Sequence, residues 1–343
     1  MMISSSARSR RVPHHTILLA AIILFAAAAM TALVPFEIPL TRFVSAHRAN
    51  WFVELMGDSL FELEQPGGGD LVVIFLIVSV LLYIGSSLVD SDCSRLPVIP
   101  RLQRALLVRP MICDALRRHR LRLEFLLVSS FCCSILMVKT LKWIMARPRP
   151  KRILFGGEPF SNWYEFGPYF LDHGLYRASF PSGHAALAIT LIGLAYVVIY
   201  SGSWYRRPAR GSLLLLSILV FAAAMATARI MSIAHWPTDV AFSLFGGWLL
   251  IHCLFFYGLR VASLQGDSYR YRGQTDIPPA WRAFRLCWYL SLLCLAFVMV
   301  VLGLRHFFFD HWPWLILFSF VAVPLFAHAW RRVCREGLFC HAR

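Results

Sequence analysis

Eight apolar runs, each near the length that crosses a bilayer, divide this chain of 343 residues and leave it few folds to choose from. They lie at 16–34, 71–89, 123–145, 185–200, 212–232, 240–257, 286–304 and 314–330, the fourth being the shortest. A hydrocarbon core about 30 Å thick is spanned by about 20 apolar residues in helical form. Lipid offers the backbone no hydrogen-bond partner, so each run must satisfy its own N–H and C=O groups as a helix. The balance of 58% apolar against 15% charged residues, with a mean hydropathy of +0.62, excludes an ordinary soluble domain. The expectation is an all-α integral membrane protein with about eight transmembrane helices.

The first run follows Arg8, Arg10 and Arg11, as in a signal peptide, but its apolar stretch exceeds the roughly 7–15 residues of a signal core, so a retained anchor is favoured. Orientation follows from basic residues beside the spans. With the N-terminus cytoplasmic, the inner segments hold Arg8/Arg10/Arg11, then Arg95, Arg101, Arg104, Arg109, Arg117, Arg118 and Arg120, then Arg206/Arg207/Arg210, Arg260/Arg270/Arg272/Arg282 and Arg331/Arg332/Arg335. Both termini are thus expected inside. The net charge of +16 reads as topology and attraction to anionic head groups, not as nucleic-acid binding. None of the nine cysteines falls in an expected outer segment, and their spacing shows neither a disulfide framework nor a metal site. Cys334 and Cys340 suit packing better than palmitoylation.

Three clusters stand where runs end or begin. The first is Lys142-Trp-Ile-Met-Ala-Arg-Pro-Arg149-Pro150, the second Pro181-Ser182-Gly183-His184, the third Arg229-Ile-Met-Ser-Ile-Ala-His235-Trp-Pro-Thr-Asp239. The expected topology puts all three on the outer face. Singly, each has an ordinary reading: Arg-Pro-Arg-Pro as a positive flank with a helix stop, His-x-x-x-Asp as a packing pair. Together they assemble three cations, two imidazoles and a carboxylate. Asp239, one turn beyond His235, is placed to hold one imidazole nitrogen and free the other for attack, with Pro237 in the helix's first turn. Ser182 is a candidate N-cap, Gly183 lets a ligand approach the backbone, and N–H groups at such a helix start bind anions. His184 would protonate a leaving alkoxide. Lys142, Arg149 and Arg229 would hold the equatorial oxygens of a phosphoryl transition state.

These blocks resemble the type 2 phosphatidic acid phosphatase (PAP2) superfamily, whose pattern is Lys-x6-Arg-Pro, Pro-Ser-Gly-His and Ser-Arg-x5-His-x3-Asp. The first two blocks match completely; in the third, Ala228 replaces the family serine, which puts an auxiliary hydrogen bond in doubt. The resemblance implies a six-span catalytic core over about 16–258, after a basic N-terminus at 1–15 and before a linker at 259–285 and a two-helix extension with a basic tail at 286–343. It also implies a metal-independent phosphatase without cofactor, in which His235 attacks phosphorus, Asp239 orients it and His184 protonates the leaving group. Lys142, Arg149, Arg229, Ser182 and Gly183 would bind phosphate. Soluble vanadate-dependent haloperoxidases share such a site, but eight spans argue against that branch.

The segment 153–180 carries Phe155, Phe160, Trp163, Tyr164, Phe166, Tyr169, Phe170 and Tyr176, and reads equally as an interfacial belt or as a lid on a lipid head group. The stretch from Arg147 to Gly157 is similar to lipid A phosphatases of Gram-negative bacteria. The expected location is the inner (cytoplasmic) membrane, multi-pass, with the active site facing the periplasm or exterior and membrane lipids around it. The expected substrate is a lipid phosphate: lipid A, undecaprenyl diphosphate, phosphatidic acid or phosphatidylglycerol phosphate. The alternatives are a lipid phosphotransferase using the same intermediate, or a non-catalytic anion-binding or transport protein. His306, Asp310 and His311, in the turn between the last two spans, read as a solvated turn, and 89–122 as a loop with an amphipathic surface helix.

Overall fold

The computed structural model describes residues 13–58, 68–89, 110–174, 178–200, 208–264, 278–309 and 311–338. Outside them lie Arg8, Arg10, Arg11, Arg95, Arg101, Arg104, Arg109, Arg206, Arg207, Arg270, Arg272, Asp310, Cys340 and the centre of the expected linker. Among the described residues the regular structure is helical, and strand-like pairing is confined to one bridge between Pro148 and Ala178.

Helix α1 (His14–Leu33) continues through a 3-10 turn, Val34–Phe36, into α2 (Glu37–Ala46). Helix α3 (Gly68–Leu88) is the second span. Helix α4 (Pro110–Ser130) passes through a π-helical stretch, Phe131–Met137, into α5 (Val138–Met145). The residues 110–122 therefore extend the third span as one helix instead of lying along the membrane. Next come the short α6 (Pro150–Gly156), then α7 (Gly183–Ile189) and α8 (Ile192–Ile199), then α9 (Pro208–Met231) and α10 (Pro237–Cys253). The chain closes with α11 (Arg282–Phe308) and α12 (Leu317–Arg335).

Seven helical stretches among the described residues are long and apolar enough to cross a membrane; the fourth expected span forms the shorter pair Gly183–Ile199. It breaks at Thr190, whose hydroxyl donates to the Leu187 carbonyl at 2.7 Å. Ala185 to Ile189, Ile192, Ala195 and Tyr196 are buried, so this pair is enclosed by α4, α9 and α10 and need not reach lipid on both sides. On the outer helices Phe25, Leu81, Leu213 and Phe320 stand exposed, the surface of a protein solvated by lipid. This is an all-α integral membrane protein.

Two prolines and one left-handed residue set the site's framework. Helix α5 ends where Ala146 takes φ 48° and gives its N–H to the Lys142 carbonyl. Pro150 and Pro237 each occupy the first turn of α6 and α10, where a missing N–H costs nothing. Gly167 lies against the α5 terminus, giving its N–H to the Met145 carbonyl, and a Cβ there would fall 2.2 Å from the Ala146 oxygen. Helices α11 and α12 pack on each other, and α11 packs on the third span. Their connecting turn is not simply solvated as expected: His306 is buried, His311 stacks 4.2 Å from Phe170, and Arg305 donates to the Ile144 and Gly167 carbonyls. Cys334 is disulfide-bonded, a pairing its spacing did not suggest.

Candidate active site

The three motif segments are stitched together by backbone and indole hydrogen bonds. Ser179 N–H donates to the Arg147 carbonyl at 2.7 Å and its hydroxyl to the Pro148 carbonyl at 3.1 Å. The buried Trp236 indole donates to that same Pro148 carbonyl at 3.0 Å. Lys151 N–H reaches the Ile233 carbonyl, and Ser182 N–H the Asp239 carbonyl. Segments nearly a hundred residues apart thus meet at the ends of α5, α7, α9 and α10.

The spacing of the third block has a local cause. After α9 the chain turns so that the N–H groups of both Ala234 and His235 donate to the Arg229 carbonyl, with Ile233 at φ 55°. Arg229 and His235 are thereby locked in one turn. Ala228 is fully buried in the main apolar cluster, where its methyl fits.

His235 is buried, and its Nδ1 lies 2.8 Å from the Ser179 carbonyl. A carbonyl only accepts, so Nδ1 carries the proton and Nε2 keeps its lone pair. Asp239 Oδ2 is 3.7 Å from Nδ1, beyond hydrogen-bond length. Its hydrogen bonds go elsewhere: Oδ2 receives Trp236 N–H at 2.9 Å and Oδ1 receives Arg147 Nη1 at 2.8 Å. The orienting acceptor of His235 is thus the Ser179 carbonyl, with Asp239 a second, more distant neighbour.

Burial, reinforced by the charges of Lys142, Arg229 and Arg149, holds the His235 imidazole well below its ordinary pKa. The same three cations and His235 act electrostatically on His184, which places all five motif cations and imidazoles in one cluster. Arg149, the N-cap residue of α6, has a buried Nε with no hydrogen-bond partner among the described residues. Ser182 caps α7, its hydroxyl accepting from Ala185 N–H at 3.5 Å. A Cβ on Gly183 would meet nothing nearer than Val138 at 3.8 Å, so protein packing does not require glycine there.

Arg147, two residues before Arg149, does something different. It is fully buried and donates through Nε to the Ser161 carbonyl at 2.8 Å, through Nη1 to Asp239 and Thr238, and through Nη2 to Glu37 at 2.5 Å. Its guanidinium also lies 5.5 Å from the Phe160 ring and 5.4 Å from Trp236. Sequence reasoning did not select Arg147, Glu37, Thr238 or Ser179 as site residues. Glu37 carried one usable signal, an acidic residue just beyond an apolar run, since ionisable groups at membrane depth are seldom idle.

Beside the cluster, a cavity of about 360 Å³ separates α1 from α10, walled by Ile22, Ala26, Met30, Phe242, Gly246 and Trp163. Phe180, immediately before Pro181, touches two of these walls, its ring 4.7 Å from Phe242 and 6.4 Å from Trp163.

Residues 123–263 match the profile of the PAP2 superfamily, a span that holds Lys142, Arg149, Ser182, Gly183, His184, Arg229, His235 and Asp239. Neither the curated proteins nor the solved structures contain a match to the chain. Over residues 123–263 this all-helical integral membrane protein is therefore similar to the PAP2 superfamily, whose members are generally phosphatases.

Proposed function

We propose that this protein removes phosphate from a phosphomonoester or diphosphate of a lipid, at the outer face of the inner membrane, through a phosphohistidine on His235. One observation carries the reading: a buried imidazole whose Nε2 keeps its lone pair stands among Lys142, Arg149 and Arg229, while the nearby carboxylate of Asp239 is engaged by Arg147. A phosphate dianion entering that cluster supplies the missing negative charge. His235 Nε2 attacks phosphorus, the P–O bond to the lipid breaks, and His184 gives its proton to the departing alkoxide. Water, deprotonated by His184, then hydrolyses the P–N bond and restores both imidazoles. Lys142, Arg149, Arg229 and the Ser182–Gly183 backbone hold the phosphoryl oxygens. Because these cations neutralise the transition state, the reaction is expected to proceed without metal.

The lipid part of the reading rests on the apolar cavity between α1 and α10, whose lining residues Phe242 and Trp163 meet the ring of Phe180, next to Pro181. Among acceptable lipids are lipid A, undecaprenyl diphosphate, phosphatidic acid and phosphatidylglycerol phosphate. The test is phosphate release from each by purified, detergent-solubilised protein with chelator present and His235→Ala alongside. Chelator-resistant release that vanishes in folded His235→Ala is expected. Release surviving the substitution would overturn the nucleophile, and silence on every lipid, with transfer on adding a lipid alcohol, would make the protein a phosphotransferase.

A further inference from the structure

The charges nearest His235 pose a problem that residues 123–263 do not solve. As Nε2 attacks phosphorus the imidazole becomes cationic, in a buried site already pressed by Lys142, Arg149 and Arg229. Its one hydrogen-bond acceptor, the Ser179 carbonyl, is neutral. The one motif carboxylate, Asp239, is hydrogen-bonded to the Arg147 guanidinium, whose charge cancels its own.

A second carboxylate sits on the same guanidinium. Glu37 accepts from Arg147 Nη2 at 2.5 Å and Nη1 at 3.3 Å, and it accepts both the backbone N–H of Thr238, at 3.3 Å, and the Thr238 hydroxyl. Glu37, Arg147, Thr238 and Asp239 are all buried, so water screens their charges little. With both carboxylates ionised against one guanidinium, this buried group carries a net charge of minus one. Glu37 enters from α2, the continuation of the first span, outside the PAP2 segment.

We propose that Glu37 is a positioning residue for phosphoryl transfer: by occupying Arg147 it leaves the Asp239 charge effective on His235, and by holding the Thr238 N–H it fixes the start of α10 that carries Asp239. The inference rests on the reading of His235 as nucleophile.

The test is Glu37→Gln, which keeps shape and most acceptors but removes the charge. A roughly 10- to 100-fold fall in kcat is expected, the scale of losing a group that orients a reacting residue, with KM for the lipid unchanged. The acid limb of the kcat/KM profile is expected to move to lower pH, because imidazolium has lost a nearby anion. A purely structural role would lower thermal stability or the yield of folded protein and leave the limb in place; that result, or wild-type kcat, overturns the proposal. The double substitution Glu37→Leu with Arg147→Met is the second arm, and the one read if Glu37→Gln fails to fold. It deletes one anion and one cation, so the limb is expected at its wild-type position, and a limb shifted down would refute the charge argument. His235→Ala, run in parallel, separates the two readings: an active His235→Ala sinks the nucleophile, whereas a dead one beside a normal Glu37→Gln sinks only Glu37.

Discussion

The two ends of the third span handle cations in opposite ways. Near its start, Arg282 donates to Glu124 at 2.7 Å and tethers α11 to α4, and Arg285 binds Glu336 through two bonds at 2.6 and 3.1 Å, tying α11 to the end of α12. Arg120 is buried there and donates to the Ser86 and Pro278 carbonyls. About 27 Å along the helix from Glu124, by a rise of 1.5 Å per residue, Lys142 opens the other end. Neither Lys142 nor Arg149 forms an ion pair among the described residues, although two carboxylates are close by, because Arg147 holds both. Cations that meet acceptors join helices; cations kept from them await an anion.

That contrast can be broken most forcefully at Arg149. Arg149→Ala is expected to cost about 100-fold in kcat/KM, the scale of losing one oxyanion donor, with the thermal transition in detergent unmoved. A variant that instead melts earlier at normal turnover would put Arg149 in the same class as Arg282. The reciprocal experiment is Arg282→Ala, which strands the buried Glu124 carboxylate. It is expected to lower stability by about 3 kcal/mol, the low end for breaking a buried pair because Arg282 keeps some solvent contact, with activity per folded molecule unchanged. Loss of turnover at full stability would mean that the two ends are coupled through the helix.

The smallest effect sharpens the electrostatics. In the proposed mechanism His235 must be neutral to attack, and burial together with Lys142, Arg229 and Arg149 depresses its pKa. Protonation therefore sets in only at lower pH than for a free imidazole, and kcat/KM should hold down through the ordinary histidine value of about 6.5 before falling. An acid limb at or above that value would show that the cations do not act on His235 in the free enzyme. In Lys142→Ala, one source of the depression is gone and the limb should rise.

Much of this was legible in residue order because membrane helices obey one-dimensional rules. Apolar length marks a span, proline stops or starts a helix, and a motif at a span end sits at a membrane face; the turn locking Arg229 to His235 needs only seven consecutive residues. What resisted reading is instructive in the pair Arg147 and Arg149. Both stand before a proline in the same five-residue stretch, and both look like phosphate ligands. One meets Glu37, 110 positions away, and is neutralised; the other has its Nε unpartnered. The same blindness covers His235: Asp239, four residues on, looked like its orienting partner, yet the nearest acceptor is a backbone carbonyl at residue 179, invisible to any pattern of side chains. The end of α11 and the turn after it, whose histidines suggested a solvated turn, pack against Phe170 because the His311 ring and the Arg305 guanidinium find stacking partners in a distant segment.

The sequence by itself determined that the chain crosses a membrane repeatedly as helices and that its clustered cations and imidazoles lie at the ends of those spans, since burial in lipid and helix geometry depend on neighbours along the chain. Only the tertiary structure decided which cations are neutralised and which acceptor holds the His235 proton, because charge in a buried site is set by whatever approaches within a few ångströms, wherever it comes from in the chain.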